Sequence, residues 1–201
     1  GGRLVYSEGT LNGFLTRLNR LVAEDLCVDP ARRLIWGAEG YNVTWNRPVF
    51  PLKSVEGPCG PAGRSVPIEE FESAFVKRAK SVFAEELSDV YLVSQRARWP
   101  KSDPMTEFVE NDWDARRSGD AILIPRPFVL MHWDPGRGSG HGSPHESDIH
   151  VPLLFWGSGW PAIRSDRPTT PYDLAPTLGR HLGVALPDAV GKPLLPPAPA
   201  R

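Results

Sequence analysis

Residues 117–157 read RSGDAILIPRPFVLMHWDPGRGSGHGSPHESDIHVPLLFWG. Three apolar runs stand in this stretch: AILIP at 121–125, FVLMHW at 128–133 and HVPLLFWG at 150–157. All three are strand-like, and the VPLLF core alternates poorly, as a strand buried on both faces would. Between the second and third runs lies a glycine-rich loop carrying His141, His145, Glu146, Asp148 and His150. Ligand-type side chains in a loop at a strand end are placed where α/β proteins keep their chemistry.

Outward from this stretch the elements are mixed. Leu11, Phe14, Leu15, Leu18, Leu21 and Val22 recur at helical spacing and predict an amphipathic helix over about residues 8–26. RLIWG and YNVTWN, separated by Ala38-Glu39-Gly40, read as a peripheral β-hairpin over 34–46, with Tyr41, Val43 and Trp45 on one face. Residues 51–66 are rich in proline and glycine and are expected to form a loop. Phe71, Phe75, Ala79, Val82 and Phe83 predict a second helix that opens after Pro67 and closes near Leu87, and DVYLVS follows as a strand. Residues 96–116 are polar, with Trp99 and Trp113 as local packing anchors. Toward the end, Leu174, Leu178 and Leu182 lie at i, i+4 and i+8, with Asp173 as N-cap, Pro176 in the first turn and Gly183 as C-cap. That helix is expected to pack on one sheet face, with AILIP and VPLLF as central strands.

Composition narrows the function classes. The 201 residues carry a formal net charge of -1, which gives neither a basic footprint for nucleic acid nor a polybasic patch for a membrane surface. Small-molecule or protein partners are expected instead. No apolar run reaches the roughly 20 residues that cross a bilayer. The 22 prolines and 19 glycines imply many turns. Cys27 and Cys59 have no metal-motif spacing; they could form one disulfide or stand as two separate thiols, and the sequence leaves both open. The chain starts Gly1-Gly2-Arg3 rather than with methionine, so it is expected to be a piece of a longer polypeptide.

Within the loop, a zincin site is excluded. H-E-x-x-H needs two histidines four apart on one helix face, whereas His145 and His150 are five apart between Gly-Ser-Pro and Val-Pro, a setting that argues against any helix. A single loop histidine is more often a hydrogen-bonded structural residue than a ligand. The neighbourhood raises His141 above that level, because Gly138, Gly140 and Gly142 leave the backbone free to approach an ion or an anionic substrate.

The order of motifs is the informative part. Arg117-Ser118-Gly119-Asp120, a strand and proline, G-x-G-H-G-S-P at 138–144, H-V-P-L-L-F-W-G, Y-D-L-A-P-T-L at 172–178, L-G-V-x-L-P at 182–187 and Gly191-Lys192-Pro193-Leu194 together resemble the C-terminal third of the alkaline phosphatase superfamily. The likeness is to the bacterial threonine-nucleophile alkaline phosphatases and their type I phosphodiesterase-like relatives. It covers residues 115–195. The implied fold is α/β: an alkaline-phosphatase-like sandwich, present here as an incomplete C-terminal portion with a peripheral hairpin. Residues 1–201 would then be part of a single catalytic domain, with 1–114 as the helix, hairpin and helix-strand region, 115–195 as the motif-bearing core and 196–201 as a loose tail.

The resemblance also implies a chemistry. Family members clamp a phosphoryl group between two zinc ions about 4 Å apart, the general logic of two-metal sites. It makes His141 the last metal ligand, on the ion that handles the leaving group. His145, His150 and Asp148 are implied at most as supporting residues beside it, and His132, His181 and Asp173 carry no ligand role. The HESD stretch departs from the family, which has an aromatic-acidic stretch there and threonine or serine pairs before the ligand histidine. The nucleophile and the other metal ligands lie upstream of the matching region: no D-x-x-x-H and no Asp-His dipeptide occurs here, and Thr10, Thr16 and Thr44 lack the aspartate-bearing strand context. The expected activity is therefore that of a complete phosphoric ester hydrolase acting on a small phosphate ester, periplasmic or secreted, with no catalytic residue in this chain. A non-catalytic binding or scaffold remnant of the same fold is the alternative from another class. A phosphodiesterase or phosphomutase of the superfamily is the alternative within it.

Overall fold

The computed structural model describes residues 3–4, 11–130, 141–157, 160 and 162–194. Its elements run β1 (Arg3–Leu4), α1 (Leu11–Asp25), β2 (Ile35–Glu39), β3 (Asn42–Trp45), β4 (Leu52–Lys53), β5 (Ser65–Val66), α2 (Ile68–Val82), β6 (Leu87–Leu92), α3 (Pro104–Asp112), β7 (Ala121–Pro125), β8 (Val129–Leu130), α4 (Glu146–Ile149) and α5 (Leu174–Leu182). The chain divides into a first unit, Gly1–Val151, and a second, Pro152–Arg201.

The first unit is built on an antiparallel sheet in the order β2-β3-β7-β6. All five residues of β7 are buried, as the AILIP pattern requires. The strand alternation divides them: Ala121 and Leu123 enter one core, Ile122 and Ile124 the other. The first core lies against α1 and α2. It holds Phe14, Leu18, Val22, Val43, Trp45, Phe71, Phe75 and Phe83, with Trp45 edge-on to Phe71 and Phe75 at ring-centroid distances of 5.0 and 4.6 Å. Each fully buried phenylalanine there stabilises the fold by about 1.5–3 kcal/mol through area removed from water. On the opposite face Tyr91, Trp99, Val109, Ile122 and Ile124 form the second core, and the indole N–H of Trp99 donates to the Leu92 carbonyl at 3.0 Å. Trp99 is the packing anchor its setting suggested. Trp113 stays half-buried, with the Arg96 guanidinium 4.0 Å above its ring.

The hairpin forms one end of the sheet: β2 is the outer strand, and β3 pairs with β7 on its other side, with Val43 fully buried. Several elements differ from the sequence expectation. The turn is Gly40-Tyr41, with Gly40 in the left-handed region at φ 54°. Helix α2 stops at Val82 rather than near Leu87, because Leu87 pairs with Pro125 as the start of β6. The polar stretch 96–116 contains α3, capped by Asp103, whose carboxylate accepts the Met105 N–H at 2.9 Å. In the 51–66 loop, β4 and β5 pair, and a disulfide joins Cys27 to Cys59.

The larger departures concern the other two apolar runs. Of the described residues of FVLMHW, Val129 and Leu130 form a strand, β8, paired in parallel with β1; residues 131–140 lie outside the described residues. VPLLF is not a central strand. Residues 151–156 have no regular secondary structure, Leu154 is 86% exposed and Trp156 97%. No described strand pairs with them, so an apolar composition alone does not make them a strand.

The second unit holds α5 and its caps. Gly183 closes the helix at φ 70°, as expected. Asp173 is not a simple N-cap: its carboxylate accepts the Thr170 N–H at 3.0 Å and the Lys192 N–H at 2.7 Å, tying both ends of the segment together. Thr177 is buried and its hydroxyl oxygen accepts the Leu194 N–H at 3.0 Å. The stripe of Leu174, Leu178 and Leu182 exists as a helix face but is exposed.

Candidate functional site

The candidate loop, residues 141–150, follows the segment outside the described residues and belongs to the first unit. His141 is exposed, and its imidazole has no hydrogen-bond or ion-pair partner among the described residues. Gly142, next in the chain, has φ 105°, a conformation that glycine adopts freely and other residues only under strain. One oxygen of Asp148 then accepts both the N–H of Ser143 at 2.9 Å and its hydroxyl at 2.6 Å.

The HESD stretch does make a helical turn, contrary to the expectation from its flanking prolines. Asp148 and Ile149 donate their N–H groups to the His145 carbonyl at 2.8 and 3.1 Å, closing α4 in a single turn between the two prolines. Pro144 and Pro152 bound it without interrupting it. His145 is half-buried, and its Nε2 lies 2.6 Å from the carbonyl oxygen of Pro125 at the end of β7. Because a carbonyl only accepts, Nε2 carries the proton and donates. His150 is different: its side chain is exposed and its Nδ1 stands 3.6 Å from the exposed carboxylate of Glu146. His132 lies outside the described residues, and His181 stacks on Trp160 at 3.7 Å in the second unit.

The structure thus ties His145 and Asp148 into the loop, leaves His150 at its surface, and gives His141 no partner among the described residues. Sequence reasoning missed Ser143. A hydroxyl residue followed five positions later by aspartate, across a proline, was the available signal.

A free neutral imidazole suits zinc, which would supply Lewis-acid chemistry at a phosphoryl oxygen. A complete site does not fit within this chain's described residues. A catalytic zinc takes about three protein ligands, and no three of the histidine, cysteine, aspartate and glutamate side chains come together to hold a metal ion. His141 fits as one donor of a set. No described helix is long and apolar enough to cross a membrane.

Two layers of similarity define the class to which this fold and loop belong. No family model matches the chain. By sequence, however, it is similar to alkaline phosphatases, and its fold is similar to that of one of them, PafA. Its curated relatives include alkaline phosphatase PafA of Elizabethkingia meningoseptica, 34% identical over 112 residues, which is 54% of this chain and 20% of that protein. A protein named calcium-transporting ATPase from Myroides odoratus is 28% identical over 162 residues, 80% of this chain and 27% of that protein. Alkaline phosphatase PhoD of Zymomonas mobilis is 24% identical over 195 residues, 92% of this chain and 33% of that protein. Among solved structures, a substituted variant of PafA superimposes with a TM-score of 0.68 at 23% identity, over 90% of this chain and 31% of that one. The chain therefore spans about a fifth to a third of the length of the curated relatives it matches.

Proposed function

We propose that this chain is the C-terminal portion of a phosphoric ester hydrolase that works with two zinc ions, and that His141 is its contribution to the metal pair. The observation that carries the reading is the placement of His141: an imidazole without a partner among the described residues, at the head of a loop tied to the end of the buried strand β7, in a chain with the superfamily's fold. The reaction class comes from the relatives named as alkaline phosphatases, and the substrate would be a small phosphate ester. The nucleophile and the remaining ligands would come from outside these 201 residues, and so would any preference for monoester, diester or mutase chemistry. The Cys27–Cys59 disulfide supports an oxidising compartment, in keeping with a periplasmic or secreted enzyme.

A non-catalytic scaffold is the second reading, favoured by the absence of a three-ligand cluster among the described residues. Turnover of an aryl phosphate separates the two. The chain alone, with excess zinc, is expected to give no hydrolysis above buffer. Fused behind the portion of PafA that precedes its aligned segment, it should give chelator-sensitive turnover that His141→Ala abolishes, together with loss of one zinc per chain by elemental analysis. A fusion that folds, binds two zinc ions with or without His141 and turns over equally in both forms would defeat the ligand role.

A further inference from the structure

We propose that Asp148, Ser143 and His145 are positioning residues that aim His141, and that His150 has no part in the task. The inference rests on the ligand role proposed for His141 and assigns its support to named atoms. From the sheet outward, the buried end of β7 presents the Pro125 carbonyl, which the protonated Nε2 of His145 engages at 2.6 Å. The His145 carbonyl closes the turn that carries Asp148. One carboxylate oxygen of Asp148 reaches back to hold Ser143 by both its N–H and its hydroxyl. Ser143 is separated from His141 only by Gly142, whose positive φ reverses the chain between them. The end of β7 is thereby connected by hydrogen bonds to Ser143, and Ser143 to His141 by the backbone through Gly142.

The distribution of these bonds argues for aim over general stability. Ser143, His145 and Asp148 are half-buried, whereas His141 and Gly142 are exposed and no described residue lies within 4 Å of a Cβ built at Gly142. Two charge-assisted bonds onto a single serine fix a short piece of backbone and little else. A ligand that must share an ion with donors from elsewhere needs such fixing, because a first-shell group is only as well placed as the residues that hold it. His150 makes one long contact to an exposed glutamate and reaches no part of this series.

Amide hydrogen exchange on the 201-residue chain gives the first test. The Ser143 amide should be protected at least tenfold over an open loop. Asp148→Ala should abolish that protection, Asp148→Asn should restore most of it because the amide oxygen still accepts, and the thermal midpoint should not move. For His145, His145→Ala should loosen the loop and His145→Gln, which can still donate to Pro125, should recover it. Free exchange at Ser143 in the unaltered chain overturns the proposal, and so does a common fall in thermal midpoint that the conservative variants do not reverse.

Zinc affinity in the PafA fusion, read by chelator competition, gives the second. Asp148→Ala should weaken one zinc by about 10–100-fold, with Asp148→Asn near the parent and His150→Ala unchanged. If His141→Ala keeps both ions, the ligand reading falls and this one with it. If His141→Ala loses an ion while Asp148→Ala and His145→Ala hold zinc like the parent, the ligand reading stands and the positioning role is overturned.

Discussion

The carboxylate of Asp120 accepts the backbone N–H of Trp45 at 2.7 Å across 75 residues of chain, and the same group is paired with the Arg47 guanidinium. Asp120 is the last residue of the R-S-G-D motif and sits one step before β7, so this contact fixes where the hairpin meets the central strand. Beside it, the Asp120 N–H donates to the Val43 carbonyl at 2.7 Å.

Replacing Asp120 with alanine should therefore cost about 1–3 kcal/mol, the penalty for stranding a buried N–H together with the loss of a charge-assisted bond. Arg47 is largely exposed, so Arg47→Ala should cost no more than about 1 kcal/mol. Urea denaturation of both variants measures the difference; equal losses would mean that the ion pair, and not the Trp45 amide, carries the contact.

Gly119 gives a sharper outcome. A Cβ built there would lie 2.4 Å from the Val43 carbonyl oxygen, a backbone atom that cannot turn aside. Gly119→Ala should separate β3 from β7 locally and destabilise by more than about 1–3 kcal/mol, the usual range for overpacking by a flexible contact. Loss of amide protection at Asp120 and Val43, before any loss at α2, is the expected signature.

The Cys27–Cys59 bond closes a loop with a sequence separation of 32. Loop-closure entropy for that length corresponds to about 3–4 kcal/mol, so reduction or the Cys27→Ser, Cys59→Ser double variant should lower the denaturation midpoint accordingly. Comparing urea curves with and without reductant tests this directly, and coincident curves would show that the unfolded chain is already constrained.

Asp173 sets an acid limit on the second unit. The Lys192 and Thr170 N–H groups that its carboxylate accepts hold its pKa below the ordinary aspartate value of 3.8. A depressed folded pKa contributes stability that is complete above the unfolded value and is lost as pH falls through the folded one. Protection of the Lys192 amide should accordingly persist at pH 5 and fade below about 3.8, whereas in Asp173→Asn it should be weaker and independent of pH over that window. A parent profile that is flat between these limits would contradict the role.

How far the sequence could be read depended on whether an element finds its partner within the chain. AILIP and VPLLF have the same apolar density. AILIP is buried throughout because β3 and β6 bond to its two edges and helices cover both faces. VPLLF pairs with no described strand, and of its residues only Phe155 is half-buried, its ring 5.2 Å from that of Trp160. Composition reports a demand for burial and is silent on who meets it. The same distinction explains α5, whose leucine stripe was correctly spaced and whose stripe is exposed. Local signals fared better: helix α1 and the Gly183 cap follow from residues within a few positions of one another. The candidate loop falls between. Its glycines and the order of motifs drew attention to the loop, but the Ser143–Asp148 contact and the helical turn depend on side-chain geometry that spacing does not encode.

The bare surface around Leu154 and Trp156 will govern how this polypeptide behaves in the test tube. From Val151 to Gly157 the run carries no charge, and its indole is almost wholly wetted. Water bounding such a surface is released whenever any other greasy object arrives, be it a dye, a chromatography resin or a neighbouring molecule. Pro152 lacks an N–H and so denies a second molecule one rung of the ladder that would convert adhesion into cross-β growth.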